Sequence, residues 1–379
     1  MDTERDALKA TAMGGHLKLG FFTMPIHPAS RDYTQTLRED REAVLLADRL
    51  GFAEAFIGEH FTDLCETIPS CLSFIASLAH DTRQIRLGSG TVNLPNSHPV
   101  QVAAHVSMID HLLEGRFLFG IGPGGLRSDW EAMGNLDADR NAMFVEAIEQ
   151  ILAIWTEEAP YNLKGRYWTV STEQTLIPEA GQGIILPPFQ KPHPPILVTA
   201  IAPHSRGIVA AAERGWSLIS ANFTHTKWIA THWPKYVEGC ERAERMPDPA
   251  DWRVARSIFV AEEDATARRY ALDPEGAYGY YYWNLMTKRR RGNALGAFKE
   301  DPEMPDSECT LDYVLERLVL WGSVETMVEK ILALRQELGP FGTLLYCGHD
   351  WVNPELARRS MELLATEVLP RVNQALGET

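Results

Sequence analysis

The stretch QIRLGSGTVNLPNSHPVQVAAHVSMIDHLLEGRFLFGIG (84–122) holds one complete strand–helix–strand unit. QIRLGSGTV (84–92) is an apolar run of strand length, residues 99–113 space their apolar side chains as a helix does, and RFLFGIG (116–122) is a second such run. Both runs are nearly continuous in Val, Ile, Leu and Phe, which suits parallel strands buried on both faces rather than half-exposed ones.

The same rhythm extends in both directions. Toward the amino end, HLKLGFF (16–22) and AEAFIG (53–58) read as strands, with helices at 37–51 and 69–80. Toward the carboxyl end, a helix at 138–157 follows the quoted unit. PILVTA (195–200), WSLISAN (216–222), WRVARSIFVA (252–261) and GTLLYCG (342–348) are further strands, with helices near 204–214, 225–245, 323–338 and 354–368. Eight β/α units with no Pro/Gly-rich linker between halves predict an α/β fold, a (β/α)8 TIM barrel with insertion segments. Residues 1–16 are polar and expected to be disordered, leaving 17–379 as a single barrel domain. Two stretches break the rhythm. Residues 158–194 hold GRYWTV and a Pro-rich run, read as a hairpin insertion; residues 270–310 turn from aromatic to basic to acidic and read either as a surface excursion with solvated charges or as a lid over the barrel mouth.

Composition narrows the function. The 379 residues are 45% hydrophobic and 23% charged, with a net charge of −15, which argues against nucleic acid and against an anionic membrane surface. No apolar run reaches membrane-spanning length. Five dispersed cysteines without a CxxC pair predict reduced thiols in a cytoplasmic protein, and no metal site.

Barrel chemistry gathers on the loops that follow strands, and those loops carry the candidate reactive groups. FIGEHFTD (56–63) follows the second strand and offers Glu59 and His60; a histidine there can exchange protons near neutral pH, with the carboxylate orienting its ring. SGTVNLPNSHP (89–99) ends the third strand, with Thr91 and Asn93 as hydrogen-bond donors. GIGPGG (120–125) lacks the spacing of a dinucleotide fingerprint and reads as a tight loop whose bare backbone, at Gly122 and Gly124, admits a ligand. TAIAPHSRGIVAAAERG (199–215) places Ser205 at a helix start, where free N–H groups favour an anion, flanked by Ala202, His204 and Arg206; a plain capping serine is the alternative. Trp351, in HDW (349–351), is placed to wall a planar ring or else to be ordinary core.

Together these pieces resemble the bacterial luciferase-like flavin monooxygenases, from about Lys18 to Asn373. GEHF (58–61) looks like the family's Glu-His motif, EGRFLFGIGPGG (114–125) like its glycine segment, GRYW (165–168) like its aromatic signature, and APHSRGIVAAAERGW (202–216) like its flavin-phosphate helix. ETIPSCLSFIASLA (66–79), ERGWSLISANF and THW (231–233) look like the diketocamphane and limonene monooxygenase subgroup. The resemblance implies reduced FMN as cosubstrate, oxygen, a separate flavin reductase, a small apolar substrate such as a cyclic ketone or terpene, and a homodimer. It assigns His60 to the oxygen chemistry and Ser205 to the phosphate. The flavin ring is expected near Phe22, Thr91 and Asn93, with Phe22, Met24, Phe61 and Trp351 walling a dry cavity. Two departures weigh against light emission: Pro123 stands where luciferase has a phosphate-contacting arginine, leaving Arg127, Arg206 or backbone to supply charge, and the luciferase histidine pair is reduced to His60. The competing readings are a deazaflavin-dependent hydride-transfer enzyme, a non-catalytic flavin-binding relative, and a plain binding or scaffold protein.

Overall fold

A computed structural model describes residues 15–23 and 26–377. The expectation for the leader falls, up to residue 14, outside the described residues, as does Met24. In the first half the strands are β1 (Lys18–Thr23), β2 (Glu54–Ile57), β3 (Arg86–Ser89), β4 (Val92–Asn93), β5 (Phe117–Gly122), β6 (Asn162–Lys164) and β7 (Thr169–Ser171). In the second they are β8 (Ile196–Ala200), β9 (Ser217–Ser220), β10 (Trp252–Val260), β11 (Val319–Gly322) and β12 (Thr343–Gly348).

The main sheet runs β11-β10-β12-β1-β2-β3-β5-β8-β9, and β10 also pairs with β9, so eight parallel strands close into the expected TIM barrel. Closure depends on the length of β10. Its nine residues are all buried, and its first residues pair with Leu218–Ser220 while Arg253–Ser257 pair with Thr343–Cys347. The ladder between β1 and β12 matches Lys18 to Thr343 through Thr23 to Gly348 without a slip. Burial on both faces explains why these strands read as unbroken apolar runs.

Contact density divides the chain into two compact units, one made of the described residues up to Ala55 with Val198 onward, the other of Phe56–Leu197. In the first, α1 (Tyr33–Arg49) starts at Asp32, whose side chain accepts from the Gln35 N–H, and stops before Gly51 at φ 81°. A buried ion pair braces the strand starts, with Arg253 Nε 2.6 Å from Glu54 Oε1 and Nη2 3.1 Å from Oε2. In the second unit, α2 (Cys71–Leu78) is capped by Ser70 and α3 (Pro99–Leu112) by His98, with Pro99 in its first turn.

Four features differ from the reading of the sequence. The run at 84–92 is two strands, β3 and β4, interrupted at Gly90–Thr91, a cis peptide. The segment after β5 holds a short helix, α4 (Arg127–Ala132), before α5 (Arg140–Thr156). After β8 comes α6 (Arg206–Glu213), and the helix expected near 225–245 is broken into α7 (Thr226–Ile229) and α8 (His232–Arg242). Finally β11, absent from the reading, pairs its four residues with Ser257–Val260 at the carboxyl half of β10. The aromatic part of 270–310 is a helix, α10 (Ala277–Arg291), numbered after α9 (Asp264–Ala271); its Tyr278, Tyr281, Tyr282, Leu285 and Met286 are buried. Its last turn, Lys288–Arg291, places positive charge against the carbonyl end of the helix.

Candidate active site

In the unit Phe56–Leu197, His60 lies just beyond β2 and is half-buried. Its Nδ1 sits 3.1 Å from Oδ2 of Asp129, a buried residue on α4. The other carboxylate oxygen of Asp129 accepts from the N–H of Phe61 (3.1 Å), the N–H of Thr62 (2.9 Å) and the Thr62 hydroxyl (2.6 Å). One acid thus fixes both the ring and the backbone of the loop that carries it. Burial works to raise the Asp129 carboxyl, but the hydrogen bonds from His60 and Thr62 outweigh it and hold the group below the usual carboxylate range. An ionised acceptor at Nδ1 places an imidazole proton there, and Nε2 lies 3.5 Å from Glu66 Oε2, so a carboxylate stands on each side of the ring.

Glu59 was expected to orient that ring, and the geometry gives the task to Asp129 instead. The Glu59 carboxylate accepts from the Cys71 N–H (3.1 Å) and thiol (3.0 Å) through Oε2, and from the Asn93 N–H (3.1 Å) through Oε1. It ties the start of α2 and β4 to the His60 loop, and desolvation raises its pKa despite those bonds. Asn93 is correspondingly occupied: its amide donates to the Glu59 carbonyl at 3.4 Å, and the Thr91 hydroxyl donates to Asn93 Oδ1, also at 3.4 Å.

The glycine loop is explained by close neighbours. A Cβ on Gly122 would stand 2.8 Å from Thr91 Oγ1, and one on Gly124, at φ 79°, would stand 2.6 Å from Arg140 Nη2. Arg140, the first residue of α5, was missed in the sequence. Its guanidinium donates to the Pro123 carbonyl and to Asn96 Oδ1 (3.4 Å), and stacks 4.6 Å from the Trp130 ring centroid. A positive charge therefore stands beside Pro123, supplied from 17 residues further on rather than by Arg127. Phe61 is exposed.

In the other unit, Ser205 caps α6, its Oγ accepting from the Gly207 N–H at 3.2 Å, the plain capping geometry, which leaves its own O–H free to turn outward. Ala202, His204 and Arg206 are exposed around it. The loop is pinned from α8 and the turn before it: the His204 N–H donates to Thr231 Oγ1 (2.9 Å), and His232 Nε2 lies 3.2 Å from the Ala202 carbonyl. Burial holds His232 down to about 4, so it is neutral, and its Nδ1 meets Ser220 Oγ at 2.9 Å. THW carried the signal for these two residues, but only the fold shows what they hold.

Phe22 is buried in β1 opposite Cys347, and Trp351 is buried just past β12. Two side-chain groups here had no sequence signal. His27 is clamped between Asp350 (3.0 Å from Nδ1) and Asp40 (3.0 Å from Nε2), and Arg31 pairs with Asp350 and, at 2.7 Å, Glu39. Burial alone would lower His27, yet the two acids raise it to about 9, so it is a charged imidazolium. The second group surrounds His349: Ser257 Oγ lies 2.9 Å from His349 Nε2, 2.9 Å from the Tyr282 hydroxyl and 3.2 Å from Asn222 Nδ2.

The chain as a whole has relatives among known proteins. A family model described as luciferase-like monooxygenase matches residues 17–340. The chain is 30% identical over 364 residues to 4-hydroxyprotoasukamycin monooxygenase of Streptomyces nodosus subsp. asukaensis, covering 95% of this chain and 93% of that one. It is 30% identical over 368 residues to limonene 1,2-monooxygenase of Rhodococcus erythropolis, covering 96% and 88%. Among solved structures, the oxygenating constituent of 3,6-diketocamphane monooxygenase from Pseudomonas putida, a type II Baeyer–Villiger enzyme in complex with FMN, superposes with a TM-score of 0.84 at 28% identity, covering 94% of this chain and 99% of that one.

Proposed function

The chain belongs to the luciferase-like monooxygenase family, and from that premise we propose that it is an oxygenase that uses reduced FMN from a separate flavin reductase, with O2, to oxygenate a small apolar ketone. The observation that carries this reading is the His60–Asp129 pair: a half-buried imidazole held by a buried carboxylate, on the loop that resembles the family's Glu-His motif.

Reduced FMN, when bound, supplies the two electrons and the site at which oxygen is activated. His60 holds or moves a proton at Nε2, with Asp129 keeping the other nitrogen protonated and the ring still. Glu59 positions Asn93 and α2 rather than reacting. At the glycine loop the space beside Gly122 and Gly124 is taken by Thr91 and Arg140, so its contribution to a flavin site is the Arg140 charge rather than bare backbone. In the other unit, Ser205 with Ala202, His204 and Arg206 is proposed for the phosphate, supported by the α6 amino end and its cationic neighbour. Trp351 and Phe22 supply apolar wall. The five cysteines are free thiols, which supports a cytoplasmic setting, and the family resemblance supports a homodimer.

The test is oxygen uptake by the purified protein with a flavin reductase, NADH, FMN and a panel of cyclic ketones and terpenes. Ketone-dependent uptake with an oxygenated product is expected. Reduction of a deazaflavin without oxygen uptake overturns the reading.

A further inference from the structure

The loop after β2 folds back on itself. The His60 N–H donates to the Ile68 carbonyl and the Glu66 N–H to the Asp63 carbonyl, both at 3.2 Å, so the chain returns Glu66 to the ring of His60. Glu66 Oε2 then stands 3.5 Å from Nε2, while Asp129 Oδ2 stands 3.1 Å from Nδ1. All three residues belong to the unit Phe56–Leu197. The two acids are 5% and 2% exposed, whereas the His60 side chain keeps 19%, enough for a ligand to reach it.

These distances limit where the protons sit. Asp129 is held ionised by its hydrogen bonds, so Nδ1 carries a proton. A neutral ring would then aim the Nε2 lone pair at a buried carboxylate 3.5 Å away, negative against negative. A proton on Nε2 turns that repulsion into an ion pair, and a buried carboxylate is tolerated only when paired. The contact is longer than a normal hydrogen bond, so the Nε2 proton is held nearby without being locked to Glu66.

The other charged neighbours do not compete for the ring. Glu59 is tied to Cys71 and Asn93, and Asp63, on the same loop as Cys65, accepts from the Cys65 N–H at 3.0 Å. On α4, Arg127 and Glu131 are exposed, and Arg140 of α5 exerts its charge on Asp129.

We propose that Glu66 is a positioning residue that keeps His60 protonated on both nitrogens, so that the ring meets the reaction as a proton donor at Nε2. The inference rests on the oxygenase reading above and deepens it. Of the two atoms of O2, one enters the product and the other leaves as water, which has to gain protons. In the donating step the Nε2–H bond breaks and an O–H bond forms on the oxygen that takes up negative charge. The ring becomes neutral, Glu66 remains a carboxylate, and solvent returns the proton to Nε2.

The test compares the pH dependence of kcat/KM for ketone oxygenation in the wild type, Glu66→Gln and Glu66→Asp. Glutamine keeps the shape and removes the charge. It is expected to hold activity within about threefold on the acid side and to move the alkaline fall down by about one pH unit, with aspartate nearer the wild type. A fall that stays in place, whether or not activity drops at every pH, overturns the inference and leaves Glu66 a structural residue. A second readout needs no turnover: 15N-histidine NMR of the FMN-free protein, with the His60 signals identified by their loss in His60→Ala. Both ring nitrogens protonated at neutral pH in the wild type, with the second proton lost at lower pH in Glu66→Gln, is expected. A wild-type ring with a single protonated nitrogen contradicts it, and decides the matter alone should the variants fail to fold. If no ketone is oxygenated, the oxygenase reading fails, while the NMR still decides whether Glu66 holds the second proton.

Discussion

The imidazole of His60 and the carboxylate of Asp129 meet at 3.1 Å although 69 residues separate them in the chain. Asp129 also holds the Phe61 and Thr62 amides, so the loop and its reactive ring share one anchor. Asp129→Asn is therefore expected to lower turnover by roughly 10²-fold, by removing the charge that holds the Nδ1 proton and the ring in place, with the melting temperature little changed. Turnover within threefold of wild type would show that the ring needs no such support.

Ser205 separates two roles that its position confounds. Aspartate caps a helix as well as serine does, but it repels a phosphate. Ser205→Asp should preserve thermal stability and weaken FMN binding at least tenfold, measured by fluorescence quenching. Equal FMN affinity in the variant would leave Ser205 a capping residue only.

His27 makes stability depend on pH. Its folded pKa, raised to about 9 from 6.5 by Asp350 and Asp40, means that the folded state holds a proton the unfolded state releases. The contribution, about 3 kcal/mol at most, is complete below pH 6.5 and is lost as pH rises toward 9. Urea midpoints should fall across that window in the wild type and stay flatter in His27→Gln. A midpoint that rises with pH would reverse the assignment.

The buried Glu54–Arg253 pair should respond asymmetrically. Arg253→Met alone strands a carboxylate and is expected to cost roughly 3–5 kcal/mol, whereas Glu54→Leu with Arg253→Met recovers most of it. Denaturant midpoints of the two variants check this; equal losses would mean that the pair itself stabilises the fold.

Much of the barrel is legible in the sequence because each parallel strand, buried on both faces, prints a run such as RFLFGIG or WRVARSIFVA. β11 was not, because four residues (VLWG) follow an amphipathic helix directly and pair with only the last part of β10. The site was legible in part. His60 and Ser205 stand out by their position after strands, a local property. Asp129, Arg140 and His232 act across loops, and no spacing rule links them to their partners. Glu59 shows the limit from the other side: adjacency to His60 suggested a pair, but neighbours in an extended loop face apart, and its carboxylate turns to Cys71 and Asn93. The His27 clamp and the His349 group each join residues of separate β/α units, so they exist only once the strands are in register.

The most direct test of the oxygenase reading is the transfer of 18O from 18O2 into product, with reduced FMN and a cyclic ketone, by wild type and His60→Ala in parallel. The account predicts one labelled oxygen per product molecule in the wild type and a loss of at least about 10²-fold in rate in the variant. Unlabelled product, or equal rates in the two proteins, would contradict it.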